Sequence, residues 1–201
     1  MKGFKRENRL LSLCGLNCGL CTMYLGKYCP GCGGGEGNQP CAMARCSLQH
    51  PGVEYCWQCR SFPCDIYEGI DEYDSFITHR NRFKDMKRAE EIGVERYNEE
   101  QMEKSRHLKM LLENYNDGRK KTLYCQAVNL LTLQDIRDVM KVLAAEAGDG
   151  LSLKEKAKRA ETLFLERAGE QGIELKLRRK GENRRNEVRL RRKSEAGSRC
   201  E

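Results

Sequence analysis

The sequence has few aromatic side chains, few prolines and no long apolar run. Only 7% of its 201 residues are aromatic, whereas 33% are charged. We therefore expect a modest hydrophobic core and extensive helical surfaces. No apolar segment approaches the roughly 20 residues that a membrane-spanning helix needs, and we predict no membrane association.

The N-terminal segment also lacks the features of a secretory signal. A short apolar stretch over residues 10–16 follows basic residues, but Cys14 interrupts it and no small-residue cleavage site follows. The bulky Leu13 argues against a lipoprotein site, because a small residue should precede a lipid-modified cysteine. We therefore predict a cytoplasmic protein, a compartment in which disulfides are rare.

Cysteine, in contrast, is abundant and concentrated in one short segment. Ten of the 12 cysteines, all four prolines and nine of the 19 glycines lie within residues 14–64. A segment this short, with few large apolar side chains, cannot be held together by hydrophobic burial alone. Clustered cysteines in a reducing compartment are more often metal ligands than disulfide partners. We therefore predict an irregular, cysteine-rich, metal-binding module over residues 1–66.

The spacing of these cysteines is typical of tetrahedral metal sites, in which a Cys-x-x-Cys turn supplies two ligands from one tight loop. Three such pairs occur, and four further cysteines can complete the sites. The predicted ligands are Cys14, Cys18, Cys21, Cys29, Cys32, Cys41, Cys46, Cys56, Cys59 and Cys64. The simplest assignment joins the first two Cys-x-x-Cys pairs around one ion and Cys41, Cys46, Cys56 and Cys59 around another. Interleaved assignments that use Cys14 or Cys64 fit the spacing equally well.

Two zinc ions are the predicted cofactors, and an iron–sulfur cluster of the 4Fe-4S type is the alternative, because four thiolates hold either. The spacing of Cys14, Cys18 and Cys21 also matches the cluster loop of radical S-adenosylmethionine enzymes. The alternating strands and helices of that class are missing here.

The histidines and the remaining two cysteines do not form a catalytic constellation, which argues against an enzyme. We interpret His50 as a surface-loop residue, and His79 and His107 as ordinary residues on helices. Cys125 lies in an apolar helical segment and is either a buried small side chain or a nucleophile or ligand facing the module. Cys200 is expected to be a free, exposed thiol.

Beyond the module, apolar periodicity predicts helices over residues 73–92, 94–115 and 121–131. Capping boxes at Thr132 and Ser152 predict two more, which end near residues 147 and 169. Short strands are expected at residues 10–13 and 173–177. The fold class is thus mainly α, with an α-helical domain over residues 67–178.

The basic charge of the chain is confined to its end. Residues 176–201 contain eleven Lys or Arg against four Glu, a net charge of +7 that equals the net charge of the whole chain. We expect residues 179–201 to be a disordered tail. Such a tail could contact nucleic acid through phosphates, although it has no aromatic side chain to stack on bases.

The cysteine motifs resemble those of a prokaryotic family known as domain of unknown function 3795. The resemblance rests on CGLNCGLC with Tyr24 after it, then CPGC, CWQC and FPC, and on the downstream YNDGRKKTLYCQAVNLL, and it spans residues 10–145. It implies a protein typical of anaerobic bacteria and archaea with zinc as the suspected ligand. It implies no reaction, but it makes Cys125 part of a family pattern.

Three hypotheses about function follow. The first is a zinc–thiolate module on a helical platform, with a structural role or one in binding a protein partner. The second is an iron–sulfur redox or enzyme-accessory protein of anaerobic metabolism. The third is a zinc-ribbon-like nucleic-acid binder that uses residues 176–201.

Overall fold

A computed structural model describes residues 2–35, 41–146 and 150–181. In these ranges the chain is mainly helical, as predicted, with seven α-helices and no strand. The helices are α1 Thr22–Leu25, α2 Ala42–Ser47, α3 Arg82–Ile92, α4 Val94–Asn114, α5 Lys121–Leu130, α6 Leu133–Ala145 and α7 Leu153–Glu170. Three 3-10 turns, Cys18–Leu20, Cys56–Gln58 and Asp65–Tyr67, interrupt the irregular N-terminal segment.

The long helices of the C-terminal half match the sequence pattern closely. Both capping boxes are confirmed: the Thr132 hydroxyl accepts a hydrogen bond from the Asp135 N–H at 3.1 Å, and the Ser152 hydroxyl accepts one from the Glu155 N–H at 3.4 Å. In each box the acidic side chain accepts the N–H of the capping residue in return. These reciprocal bonds satisfy donors that a helix N-terminus otherwise leaves unpaired.

Both predicted strands are wrong. At residues 10–13, the Asn8 side-chain oxygen accepts two backbone N–H groups, which makes a local turn in place of a ladder. Among the described residues no strand lies beside residues 173–177, and the backbone directly after them pairs with Asp74. There the Asp74 N–H donates to the Arg178 carbonyl at 2.7 Å, and the Arg178 N–H donates to the Asp74 carboxylate at 2.8 Å.

The helix expected over residues 73–92 begins only at Arg82. The preceding stretch is irregular because the buried Asp74 carboxylate accepts the N–H of His79 at 2.8 Å as well as that of Arg178. Asp side chains that hydrogen-bond to nearby backbone groups compete with helix formation. Here these hydrogen bonds of Asp74 hold the chain before Arg82 in a non-helical conformation. His79 therefore lies before α3 and not on a helix.

The main hydrophobic core lies between α4, α5, α6 and α7. Its largest fully buried members are Leu108, Leu111, Tyr124, Leu131, Ile136, Leu143 and Phe164. Leu20 of the first cysteine motif is part of this core, and α4 packs on the turn that contains it. The domain boundaries predicted from the sequence stay predictions, but the first cysteine motif is attached directly to the helical core.

None of the helices in the described part of the chain has the length and apolar character needed to span a bilayer. The basic tail from residue 182 onward, together with Cys200, lies outside the described residues.

A buried polar network ties the cysteine-rich segment to the helices. The Asn17 side chain donates to the Asp85 carboxylate at 2.8 Å and accepts from the Tyr97 hydroxyl at 2.9 Å. Lys104 is also buried and donates to the carbonyl oxygen of Leu131 at 2.7 Å. Burial lowers the pKa of Lys104 to about 8, and the Asp85 charge opposes this shift.

Burial also raises the pKa of Asp85 to about 6, although Lys104 opposes that shift. The unfolded chain titrates this carboxyl near its ordinary value of about 4. Between pH 4 and 6 the folded state therefore binds more protons, and the contribution of Asp85 to stability falls as the pH rises.

We expect the unfolding free energy of Asp85→Asn, relative to the wild type, to increase from pH 4 to pH 6 and to level off above pH 7. Urea unfolding at a series of pH values measures this difference. If the difference stayed constant over the whole pH range, Asp85 would have the same pKa in the folded and the unfolded state.

Candidate metal centre

Ten of the described cysteines are those predicted as ligands, and none of the eleven described cysteines is in a disulfide. All ten are partly buried, in a segment of turns and very short helices between residues 14 and 64.

Two of the three Cys-x-x-Cys motifs fold in the same way. Cys18 and Cys56 each begin a 3-10 turn, and the N–H of the second cysteine donates to the carbonyl of the first at 3.0 Å in both. The second turn is fixed further by Gln58, whose side-chain oxygen accepts the N–H of Tyr55 at 3.0 Å. The motif thus places two thiols at the two ends of one tight turn, which is the local geometry that a metal site uses.

The first group of thiols surrounds Cys18. Burial raises the pKa of Cys18 well above its ordinary value, and four neighbouring thiols raise it further. These neighbours are Cys32, Cys14, Cys21 and Cys29, in decreasing order of effect. Cys18 therefore lies within electrostatic range of the other three cysteines of the first assignment and of Cys14.

The second group lines a small cavity of about 30 Å³. Its four thiols are those of Cys46, Cys56, Cys59 and Cys64, and apolar side chains form most of the remaining wall. Burial raises the pKa of Cys56 to about 11, although a hydrogen bond with Tyr67 opposes the shift, and Cys14, Cys64 and Cys46 add to it.

The cysteines that line this cavity are not the same four that the simplest ligand assignment placed around the second ion. Cys64 lines the cavity, whereas Cys41 does not. Cys41 packs, like Cys56 and Cys64, against the apolar cluster that contains Leu13 and Met43, two residues that also line the cavity. Cys14 affects both Cys18 and Cys56, so it lies between the two groups, and its thiol is 3.2 Å from the Ser12 hydroxyl.

The thiols of each group do not form a coordination shell in this structure. Among the described residues, no three or more Cys, His, Asp or Glu side chains are arranged so that they could hold a metal ion. The two groups are therefore defined by proximity, shared burial and mutual effect on pKa.

Arg6 is a neighbour of the first group that sequence reasoning missed. Its side chain is only 4% exposed, and its guanidinium lies over the Tyr55 ring, 4.7 Å from the centroid. One of its nitrogens donates to the Leu11 carbonyl at 3.0 Å, and Nη2 forms a long ion pair of 3.9 Å with Glu54. Nε is buried without a hydrogen-bond partner. Burial raises the pKa of the Cys32 thiol, and the Arg6 charge is among the factors that oppose it.

Cys125 lies on the helix that packs against the first group of thiols. It is buried on α5, which packs on α1 and on the turn Cys18–Leu20. Burial raises the pKa of Cys125 to about 12, Lys121 lowers it, and the Cys21 thiol adds a small increase. At neutral pH Cys125 is therefore a protonated thiol, which is a poor nucleophile.

The three histidines differ in burial and in the groups that they contact. His50 is exposed, as predicted, but its side chain also lines the cavity of the second thiol group. His79 is buried, and its ring nitrogens lie 3.1 Å from the Ile70 carbonyl and 3.0 Å from the Ser75 hydroxyl. His107 lies on α4, 3.6 Å from Glu103.

These features define a mainly helical protein with a thiol-rich N-terminal segment arranged in two groups. Comparison with protein-family models, with curated proteins and with solved structures found no match for the chain.

Proposed function

We propose that this chain is a cytoplasmic metal-binding protein in which thiolates hold two zinc ions. The role of the ions is structural: they stabilise a segment that presents a surface to a protein partner. The observation that carries the proposal is the gathering of nine thiols, those of Cys46, Cys56, Cys59 and Cys64 around one cavity and those of Cys14, Cys21, Cys29 and Cys32 around Cys18.

The donor chemistry supports a soft metal. Thiols that are packed together and half-buried each raise the pKa of the others, which is unfavourable for thiolates alone. A zinc ion reverses this, because it deprotonates the thiols that bind it and offsets their negative charges. The proposal requires the sulfurs of each group to draw together around the ion, since no described group is arranged to hold one without adjustment.

Arg6 supports the same chemistry from outside the ligand set. The Nε atom of the buried Arg6 guanidinium has no hydrogen-bond partner, and the ion pair of Nη2 with the exposed Glu54 is long, at 3.9 Å. A further acceptor would therefore lower the cost of burying this group. Four thiolates around a zinc ion carry a net charge of about −2. A thiolate of Cys32 would accept from Arg6, and the guanidinium charge would offset part of this excess.

The spacing of the donors favours zinc, because Cys-x-x-Cys pairs that supply four thiolates are typical of structural zinc sites. Four thiolates also hold an iron–sulfur cluster, so the metal content itself separates the two.

The test is anaerobic purification followed by elemental analysis and an absorption spectrum. We expect a colourless protein with two zinc ions per chain. A brown protein with stoichiometric iron and sulfide would replace zinc by a cluster, and a protein with neither metal would refute the proposal.

The basic tail is not used in this proposal. Nucleic-acid binding through residues 176–201 stays a prediction, and most of these residues lie outside the described part of the chain.

A further inference from the structure

The second thiol group has a polar neighbour outside the ligand set, the hydroxyl of Tyr67. Tyr67 is the last residue of the 3-10 turn Asp65–Tyr67 and lines the same cavity as the four thiols. Its N–H donates to the carbonyl of Cys64 at 2.8 Å. The turn therefore attaches Tyr67 directly to one of the cysteines of this group.

Neighbouring aromatic side chains hold the Tyr67 ring in place. The residue is only 7% exposed. Its ring meets the Phe62 ring edge to face, with 5.1 Å between the centroids, and its centroid lies 5.5 Å from that of Phe83. Such aromatic pairs add to the stability that burial alone provides. Packing of the ring against two others therefore holds its hydroxyl at one position beside the cavity.

In the described part of the chain, the Tyr67 hydroxyl has two sulfur atoms as its hydrogen-bonding neighbours. It is hydrogen-bonded to the Cys56 thiol and lies 4.0 Å from the sulfur of Met86. A tyrosine hydroxyl keeps its proton at neutral pH and can donate it. Thiol and thioether sulfurs are weak acceptors, so these neighbours satisfy the buried donor poorly.

Metal binding at Cys56 would supply a much better acceptor at the same position. Zinc binds cysteine as the thiolate, which carries a negative charge. Hydrogen bonds to an ionised acceptor are roughly twice as strong as those between neutral groups. Buried polar groups in folded proteins are nearly always paired, and the Tyr67 donor is matched best when Cys56 is a metal ligand.

We propose that Tyr67 is a positioning residue of the second metal site, where its hydroxyl donates to the Cys56 thiolate and makes this ligand less reactive. The inference rests on the proposed zinc function and adds regulation of the same site. Hydrogen bonds to metal ligands orient them and tune their charge. A donor that stabilises a thiolate also lowers its intrinsic nucleophilicity, so Cys56 reacts more slowly with electrophiles.

The test loads the full chain with cobalt(II) in place of zinc, anaerobically, in the wild type and in Tyr67→Phe. Phenylalanine keeps the packed ring and removes only the hydroxyl. We expect both chains to bind two cobalt ions and the variant to hold one of them about 10- to 100-fold more weakly. Its sulfur-to-cobalt charge-transfer absorption should move to longer wavelength, because the thiolate electrons lose the stabilisation of the hydrogen bond.

Alkylation of the zinc-loaded chain provides a second measurement. We expect iodoacetamide to modify Cys56 several-fold faster in Tyr67→Phe than in the wild type, as measured by mass spectrometry of the peptides. Alkylation rates in the first thiol group should not change, because Tyr67 lines the cavity of the second group.

The matched control is Tyr124→Phe. Tyr124 is also a buried tyrosine, and its hydroxyl donates to the Tyr115 carbonyl at 2.6 Å in the helical core. This variant likewise loses a buried hydrogen bond, but the bond does not involve a thiol. We expect its cobalt spectrum, its metal affinity and its rate of Cys56 alkylation to equal those of the wild type.

The outcomes separate this inference from the metal proposal. If the wild type bound two ions and Tyr67→Phe matched Tyr124→Phe in spectrum, affinity and alkylation rate, the role of Tyr67 would be overturned and the metal site would stand. If the wild type bound neither cobalt nor zinc, the metal proposal would be refuted, and this inference with it.

Discussion

Replacing Cys18 by serine is expected to remove one of two zinc ions and to lower the melting temperature by more than about 10 °C. Cys18 is the thiol that four others surround, so serine at this position breaks the first group at its centre. Structural zinc contributes about 10–16 kcal/mol to the folding of zinc fingers, and a chain of this size loses about 2–4 °C for each kcal/mol. Elemental analysis and thermal unfolding by circular dichroism measure both effects.

The matched control is Cys125→Ser. Cys125 is also a buried thiol with a raised pKa, but it lies on α5 and outside both groups. We expect this variant to keep two zinc ions and to lose only about 1–2 kcal/mol, the cost of a buried hydroxyl with a poor partner. If Cys18→Ser kept both ions, Cys18 would not be a ligand, and Cys14, Cys21, Cys29 and Cys32 would hold the ion of the first group. If Cys125→Ser lost one, Cys125 would be a ligand.

The second large effect is expected at Gly15, next to Cys14, the first of the predicted ligands. Its φ of +87° lies in the left-handed region, and an added Cβ would overlap Cγ and Sδ of Met86 and lie 3.0 Å from the Arg82 carbonyl oxygen. Met86 is only 1% exposed, so its side chain would have to shift within a packed core to relieve the overlap. We expect Gly15→Ala to cost about 2–4 kcal/mol, the sum of backbone strain and overpacking, as measured by urea unfolding.

Gly118→Ala separates these two causes. Gly118 has nearly the same φ, +92°, but no atom lies within 4 Å of an added Cβ. This variant should therefore show the backbone strain alone, about 1–2 kcal/mol. Equal losses at the two glycines would mean that the contact with Met86 relaxes freely, and that the loop before Cys18 is not fixed by helix packing.

Local signals in the sequence predicted much of the helical half. The capping boxes at Thr132 and Ser152 are complete within four residues, and the apolar pattern of α5 is continuous. The irregular stretch before α3 could not be predicted in this way, because it depends on Asp74. That carboxylate is fixed by Arg178, which lies 104 positions away in the sequence. The strand expected over residues 173–177 fails for a related reason, since alternation alone supplies no neighbouring strand.

In the candidate site, too, local turns could be predicted from the sequence, whereas contacts between distant segments could not. The Cys-x-x-Cys spacing was enough to predict the turns at Cys18 and Cys56, because each turn closes within four residues. Cys64 lines the cavity of the second thiol group, and Cys14 affects thiols of both groups. Both positions depend on how distant segments of the chain pack. No local signal identified Arg6, which reaches the first group from 26 positions before Cys32 in the sequence.

Asn17 has a consequence for the proposed binding of an ion. It lies directly before Cys18, and Asp85 of α3 and Tyr97 of α4 hold its amide without any help from a thiol. Packing of the helices therefore fixes this loop, at a cost of about 1–2 kcal/mol of conformational entropy for each ordered residue. In the proposed metal protein, that entropy would be lost during folding and not during metal capture. The loop would then meet the ion as a preorganised receptor, and the helices would contribute to metal affinity without contacting the metal.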